Sequence, residues 1–217
     1  MRFADRHDAG ERLGAAVAEL NPAAPVVYAL PRGGVPVGFE VARALECPLD
    51  VLVVRKLGVP FQPELAMGAI GEGDVGVRNA DVIDVAGIDQ DVFDEVVARE
   101  RRVLEQKVAR YRAEVDRIDP AGHTAIVVDD GLATGSTALA AVMVLQTQRA
   151  AEIWLAVPVA PPASLGQLEI LADRIVILER PRGFGAVGSW YRDFDQTSDQ
   201  EVRDLLVTSR LPWPRQS

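Results

Sequence analysis

The stretch Thr124-Ala-Ile-Val-Val-Asp-Asp-Gly-Leu-Ala-Thr-Gly-Ser-Thr137 decides the fold of this 217-residue chain. Residues 125–128 are apolar and mostly β-branched, which is typical of a strand buried on both faces of a parallel sheet. Two acids follow, and a loop over residues 131–137 leads into an apolar helix, predicted over residues 137–148. In open α/β sheets, ligands bind outside the carboxyl ends of the strands, so the stretch also predicts a binding site.

The chemistry of this loop favours a phosphate. A helix N-terminus presents backbone N–H groups and a positive dipole end to an anion, and Thr134, Ser136 and Thr137 add hydroxyl donors. Asp129 and Asp130 would repel a phosphate, so we expect them to accept hydrogen bonds from sugar hydroxyls. A divalent cation would relieve the remaining repulsion. The pattern therefore predicts a sugar phosphate, and the absence of a lysine after the second glycine excludes a Walker A motif.

Composition limits the classes of protein to which the chain can belong. Hydrophobic residues make up 48%, charged residues 25% and aromatic residues 6%, which is typical of a globular α/β domain. The net charge is −9 and no Lys/Arg run stands out, so we expect no nucleic-acid partner. No signal peptide and no run of about 18 apolar residues is apparent, so we expect no membrane segment. Cys47 is the single cysteine, which favours the cytoplasm and excludes a cysteine-based metal site.

Residues 127–137 resemble the phosphoribosyl pyrophosphate (PRPP) motif of type I phosphoribosyltransferases: an apolar run, two acids, a few small residues, then Thr-Gly-Ser-Thr. The alternative is an ordinary strand–turn–helix with an aspartate cap, but a cap does not need this pattern. The resemblance implies Mg²⁺ as cofactor, held mainly by PRPP and also by the two acids. It implies these PRPP-binding residues: Asp129, Asp130, Gly131, Ala133, Thr134, Gly135, Ser136 and Thr137.

A second strand–loop–helix precedes this one, with a strand over residues 26–30 and a helix over residues 37–45. Between them, Gly33 and Gly34 let the backbone approach a ligand, and Arg32 offers a fork of donors suited to phosphate. A tight turn with an exposed arginine is the alternative. Residues 30–36 resemble the pyrophosphate loop of xanthine and related purine phosphoribosyltransferases, which implies that Arg32 and the backbone N–H groups hold the diphosphate.

Arg55 and Lys56 follow a strand predicted over residues 49–54. Solvated charges are the commoner role for such residues, but both stand at the ligand end of a buried strand. The resemblance implies that a basic residue here neutralises pyrophosphate. The catalytic set that it implies is Arg32, Lys56, Asp129 and Asp130.

Residues 58–76 contain five glycines and two prolines, which predicts a long loop with a short hairpin as the alternative. The resemblance implies a mobile loop that closes over PRPP and shields the reaction from water. Gln62 and Glu64 are its notable polar residues. The loop over residues 180–195 is rich in glycine and aromatic residues. The resemblance implies a hood and C-terminal helix over residues 180–217, with Trp190 or Tyr191 stacking on a base; aromatic anchoring of the loop is the alternative.

The other predicted elements complete an α/β pattern. A long helix over residues 89–116 carries an apolar stripe that favours core packing, and a homodimer seam is the alternative. Ser198 is expected to cap the last helix. The remaining elements are helices over residues 4–20, 164–172 and 199–207 and strands over residues 82–85, 152–158 and 174–179.

The resemblance implies one phosphoribosyltransferase-like domain over residues 1–217, with a mainly parallel five-stranded sheet and helices on both faces. It implies transfer of ribose 5-phosphate from Mg-PRPP to a nitrogen acceptor, such as a nucleobase, with release of pyrophosphate. A PRPP- or nucleotide-sensing regulator without turnover and a hydrolase with the same site are the alternatives. Ala133 stands where hypoxanthine–guanine enzymes of the family carry a third acid, so we expect poor turnover of those bases.

Overall fold

The computed structural model describes residues 2–73 and 75–213. Its eight strands are β1 (Pro25–Ala29), β2 (Leu49–Val51), β3 (Val54–Val59), β4 (Gln62–Gly71), β5 (Val75–Arg78), β6 (Thr124–Val128), β7 (Glu152–Val159) and β8 (Arg174–Glu179). Its α-helices are α1 (Arg6–Ala18), α2 (Gly34–Ala44), α3 (Ala80–Ala86), α4 (Gln90–Tyr111), α5 (Ser136–Thr147), α6 (Leu168–Leu171) and α7 (Asp199–Thr208).

The central sheet confirms the predicted fold class. Five parallel strands lie in the order β2-β1-β6-β7-β8, and Val27 of β1 pairs with Ile126 of β6. These two side chains belong to the core that α1 and α2 cover. Their neighbours Tyr28 and Val127 belong to the core on the α5 side. Because successive side chains of a strand point to opposite faces, helices cover both faces of the sheet.

Residues 58–76 are not the long loop that was predicted. Strands β3, β4 and β5 form a separate antiparallel sheet that includes most of this segment, so the hairpin alternative was nearer the structure. Two of its glycines allow close strand packing: a Cβ atom would lie 2.5 Å from the Pro63 carbonyl oxygen at Gly58 and 2.4 Å from that of Val77 at Gly68. The predicted strand over residues 49–54 also divides, because the chain leaves the central sheet after Val51 and enters the small sheet at Val54.

The predicted strand over residues 82–85 was wrong. This segment lies within α3, whose N-terminus is capped by the side chain of Asn79 and which ends at Gly87 with a left-handed φ of 61°. Val85 is 90% exposed, so the apolar run does not mark a buried strand. The Asn and Gly at the two ends were the signal of a short helix.

Helix α4 packs on the core, as predicted. Phe93 and Leu104 are buried in it, although the helix ends at Tyr111. Just beyond its end, Arg112 Nη1 donates to Oδ1 of the fully buried Asp50 on β2 (2.6 Å), and Arg112 Nη2 donates to Glu72 after β4 (2.8 Å). This network joins β2, the small sheet and the end of α4.

The C-terminal part follows the sequence expectations in part. Ser198 caps α7 by accepting a hydrogen bond from the N–H of Glu201, as predicted. The predicted helix over residues 164–172 is shorter in the structure, where a 3₁₀ turn at Pro162–Ser164 is followed by α6.

Within residues 2–73 and 75–213, no helix combines the length and apolar character needed to cross a membrane. The cytoplasmic location and the homodimer stay predictions.

Candidate active site

The two predicted phosphate loops meet at the carboxyl edge of the central sheet, between β1 and β6. Here the strand order reverses, which is where open α/β sheets bind ligands. A Cβ atom at Gly33 would lie 2.0 Å from Oδ2 of Asp130, and one at Gly34 would lie 2.7 Å from the Val128 carbonyl oxygen. The loops therefore approach as closely as they do because both residues are glycine. The peptide between Pro31 and Arg32 is cis.

The acid pair is held in a fixed arrangement. The N–H of Asp130 donates to Oδ1 of Asp129 (2.9 Å). Burial raises the pKa of Asp129 well above its usual value, and the neighbouring charge of Asp130 raises that pKa further. Burial also raises the pKa of Asp130, while Arg6 opposes the shift. The two carboxylates thus lie in a setting that disfavours their combined negative charge, and a cation or hydroxyl donors would relieve it.

Arg6 is a site residue that the sequence analysis missed. Its Nε and Nη2 lie 2.9 Å and 2.8 Å from Oδ2 of Asp130, and its Nη1 donates to the Asp195 carbonyl oxygen (2.6 Å). The guanidinium also lies 3.9 Å from the centre of the Phe194 ring. Its side chain is only 11% exposed. Arg6 therefore orients Asp130 and compensates part of its charge; no local pattern in the sequence signals a contact across 124 positions.

The loop between β6 and α5 has the geometry expected of an anion site. Gly135 adopts a left-handed φ of 74° before the first turn of α5, and that turn contains no acidic residue. A Cβ atom at Gly135 would lie 2.5 Å from the Ser164 carbonyl oxygen, so the turn needs glycine for two reasons. Thr134 and Ser136 place their hydroxyl oxygens 2.8 Å apart. The helix N-terminus and these hydroxyls are the groups that the sequence assigned to a phosphate.

A cleft of about 550 Å³ lies beside this loop, and its walls come from several elements. Lys56 of β3 and Ser136 of α5 lie on it, and the carboxylate of Glu64 from β4 bridges them. The Glu64 Oε2 atom is 3.2 Å from Lys56 Nζ and accepts a hydrogen bond from Ser136 Oγ (3.2 Å). The hydrogen bond and charge of Lys56 lower the pKa of Glu64. The Glu64 carboxylate thus lies between Lys56 and the loop that leads into α5.

Arg55 and Arg32, the other predicted basic residues, differ in how far their charges are compensated within the protein. Arg55 donates from Nε and Nη2 to Glu100 of α4 (2.9 Å and 2.5 Å), so much of its charge is already compensated. Among the residues that the structure describes, the Arg32 side chain makes one long ion pair, with 3.7 Å between its Nη1 and Oδ1 of Asp199 in α7. Arg32 therefore has more donor capacity left for a ligand than Arg55 has.

The structure does not support Tyr191 as an open stacking surface. Its side chain is 4% exposed, and its ring centre lies 5.4 Å from that of Phe3 and 4.9 Å from that of Phe194. Its hydroxyl donates to the Asp130 carbonyl oxygen (2.5 Å), so Tyr191 helps to hold the backbone of Asp130 in place. Trp190 is half-buried beside a separate surface depression that Arg2 also lines. The aromatic anchoring that was the alternative therefore describes Tyr191 better.

Comparison with known proteins agrees with this geometry. Residues 7–187 match the family model described as phosphoribosyl transferase domain. Two proteins of Mycobacterium tuberculosis, from strains CDC 1551 and H37Rv, each bear the name "Putative phosphoribosyl transferase". Each is 50% identical to this chain over 204 residues, which cover 94% of this chain and 46% of theirs. The chain thus spans about half the length of the curated relatives that it matches.

A solved structure shares the whole architecture. The crystal structure of TT1426 from Thermus thermophilus superimposes with a TM-score of 0.92 and 41% sequence identity, over 96% of this chain and 99% of that one. The family match covers most of the chain, and the two loops and the acid pair occupy the ligand edge of the sheet. The chain therefore belongs to the phosphoribosyl transferase family.

Proposed function

We propose that this protein binds Mg-PRPP and transfers ribose 5-phosphate to a nitrogen acceptor, with release of pyrophosphate. The observation that carries the proposal is the contact of the Gly33–Gly34 loop with the acid pair at the β1/β6 edge. In this proposal the loop over residues 131–137 and the Gly33–Gly34 loop hold the two anionic ends of one ligand, and Asp129 and Asp130 hold its hydroxyls. A sugar with a phosphate at one end and a diphosphate at the other matches that order of groups.

Each part of PRPP has a proposed partner. The 5-phosphate binds the loop over residues 131–137, and the ribose hydroxyls donate to Asp129 and Asp130. The diphosphate binds Arg32, Lys56 and the backbone N–H groups of residues 33 and 34. When the bond from the sugar carbon to the diphosphate breaks, these cations stabilise the departing charge, and the loops hold the ribose in line with the acceptor.

Mg²⁺ fits the donors of the acid pair as a shared ligand. Among residues 2–73 and 75–213, no cluster of three or more His, Cys, Asp or Glu could hold a metal ion by itself. Asp129 and Asp130 offer two hard carboxylates in a setting that disfavours their charge, and Mg²⁺ commonly combines one or two carboxylates with phosphate oxygens and water. When bound, the ion would neutralise charge on the diphosphate.

The acceptor is proposed to be a base other than hypoxanthine or guanine. Ala133 lies exposed on the phosphate loop, and its side chain offers neither a proton acceptor nor a hydrogen bond. The lack of a positioned acid or base there corresponds to a loss of roughly 10²–10⁴ in rate. Glu64 is an alternative source of that group, because its carboxylate already reaches Ser136.

A coupled pyrophosphate-release assay with Mg-PRPP tests the proposal against its alternatives. The panel contains hypoxanthine, guanine, xanthine, adenine and orotate, and Asp130→Asn is compared with Arg192→Ala, whose side chain is exposed. We expect pyrophosphate release only when a base is present. Asp130→Asn should lose this release, whereas Arg192→Ala should keep it. Release without any base would indicate the hydrolase, and PRPP binding without release would indicate the sensor.

Ligand binding is checked separately by thermal melting. Mg-PRPP at about 100 times its dissociation constant should add about 2.7 kcal/mol to the free energy of unfolding. An unchanged melting temperature at millimolar Mg-PRPP would refute binding itself, and with it the transferase and sensor together.

A further inference from the structure

Part of the wall of the cleft comes from α4, which neither loop motif includes. Arg99, Glu100 and Lys107 of α4 line the cleft together with Lys56 and Ser136. Positions 100 and 107 are two helical turns apart, so they lie on one face of the helix. That face meets the ligand region.

The charges on this face are not all compensated. Glu100 is shared between Arg55 (2.5 Å) and Arg99 (3.1 Å), so one carboxylate serves two guanidinium groups. No ion pair joins Lys107 to any carboxylate in residues 2–73 and 75–213. Lys107 is nevertheless half-buried. A half-buried ammonium without an anion is unfavourable in the free protein and becomes favourable when an anion binds.

The surroundings of Lys107 point to one end of the ligand. Burial lowers the pKa of its ammonium, and the charges of Arg55, Arg32 and Arg110 lower that pKa further, against Asp199, which raises it. Arg32 comes from the pyrophosphate loop, and Arg55 precedes Lys56 on β3. The 5-phosphate loop, in contrast, already offers hydroxyls and a helix N-terminus. Two of these three cations, Arg32 and Arg55, thus lie at the proposed diphosphate end, whereas Arg110 is exposed and pairs with Asp199.

We propose that Lys107 of α4 binds the diphosphate of PRPP together with Arg32 and Lys56. The diphosphate site then extends from the two sheets onto α4, and a long helix that packs on the core also supplies a ligand-binding cation. The inference rests on the proposed function, because it assigns a role within that same site. It adds a residue that no loop motif contains.

Isothermal titration calorimetry with Lys107→Met in the full chain tests the inference. Mg-pyrophosphate and ribose 5-phosphate are titrated separately, because only the first carries the diphosphate. We expect pyrophosphate affinity to fall about 10- to 100-fold, as for the loss of one charge-assisted contact. We expect ribose 5-phosphate affinity to stay within about twofold and Lys107→Arg to retain most of the pyrophosphate affinity.

Arg110→Met is the matched control on the same helix. It removes an equal charge from an exposed residue that pairs with Asp199 at 3.3 Å, and we expect its pyrophosphate affinity to stay within about threefold. The melting temperature of Lys107→Met should equal or exceed that of the wild type, because a cation among cations is removed.

Three results would overturn the inference. The first is equal pyrophosphate affinity in Lys107→Met and the wild type. The second is an equal loss of pyrophosphate and ribose 5-phosphate affinity, which would indicate a general disturbance of the fold. The third is that the wild type binds neither pyrophosphate nor PRPP. That result would also overturn the proposed function, whereas the first two concern only Lys107.

Discussion

Replacement of Gly33 by alanine separates the shape of the site from its charge. Gly33 has φ −61° and ψ −30°, which alanine adopts without strain. The only new feature is the Cβ atom, which would lie 2.0 Å from Oδ2 and 2.7 Å from Cγ of Asp130. The substitution therefore acts on Asp130 through steric contact alone.

The size of the effect follows from these distances. Real Cβ atoms keep at least 3.0 Å from other heavy atoms, so the carboxylate oxygen of Asp130 must move by about 1 Å or more. The same oxygen holds both contacts to Arg6, at 2.9 Å and 2.8 Å, and cannot keep them in place. Overpacking of this kind costs about 1–3 kcal/mol. Because about 1 kcal/mol shifts the melting temperature of a 150–250-residue protein by about 2–4 °C, we expect a loss of roughly 2–12 °C.

The effect on ligand binding should be similar in free energy to the effect on stability, because a 10²-fold change in affinity is about 2.8 kcal/mol. A displacement of about 1 Å at a positioning group can cost about 10²-fold in rate. We expect a loss of similar size in Mg-PRPP affinity, measured by titration calorimetry. Gly185→Ala is the matched control, since its Cβ atom would meet nothing within 4 Å. If Gly33→Ala binds Mg-PRPP as tightly as Gly185→Ala, the placement of Asp130 does not matter and the reasoning fails.

Three further predictions concern the acid pair and its supports. Asp129→Asn should abolish Mg-PRPP binding yet raise the melting temperature at pH 8 by about 2–4 °C. Burial and Asp130 raise the pKa of Asp129 above its unfolded value, so ionised Asp129 destabilises the fold at higher pH. The increase in melting temperature should therefore vanish below about pH 3.9, where Asp129 is protonated in both states. An increase that persists at that pH would contradict this reasoning. Arg112→Met should lower the free energy of unfolding by up to about 3–5 kcal/mol, measured by urea titration, because the buried Asp50 loses its 2.6 Å partner and keeps a longer ion pair with Arg210, at 3.8 Å; a loss under about 1 kcal/mol would refute it. Tyr191→Phe should cost about 0.5–1.5 kcal/mol in the same titration, since it removes the bond to the Asp130 carbonyl oxygen, and an unchanged midpoint would show that this bond contributes nothing.

The central sheet and its two loops were predictable because their signals are local. An apolar β-branched run, a change of period and glycines at the turn all lie within about fifteen residues of one another, as in the stretch from Thr124 to Thr137. The same logic failed at residues 82–85, where a short apolar run was ambiguous between strand and helix. The capping residues Asn79 and Gly87 decided in favour of the helix.

Composition was a poor guide where glycine had two meanings. In residues 58–76 the glycines suggested a loop, but Gly58 and Gly68 serve close backbone packing between antiparallel strands. The atoms that surround a glycine depend on which strands pair, and the glycine alone does not reveal that pairing. The mobility expected of this segment stays a prediction.

The non-local part of the site was not predictable from a single sequence. Arg6 reaches Asp130 from near the start of the chain, and Lys107 lines the cleft from a helix whose pattern favoured core packing or a dimer seam. Tyr191 looked like a free aromatic because its burial depends on Phe3 and Phe194. Tertiary contacts of this kind become visible only when the elements are placed in space.

The pairing of β1 with β6 also has a consequence for synthesis of the chain. Val27 pairs with Ile126, about 100 positions further along. At about 5–20 residues per second, roughly 5–20 s separate the emergence of the two strands from the ribosome. During that interval β1 has β2 on one side and an open hydrogen-bonding edge on the other, and an open edge invites pairing with other chains. The pairing of β1 with β6, which brings the two loops together, therefore forms only after about 100 further residues have been made.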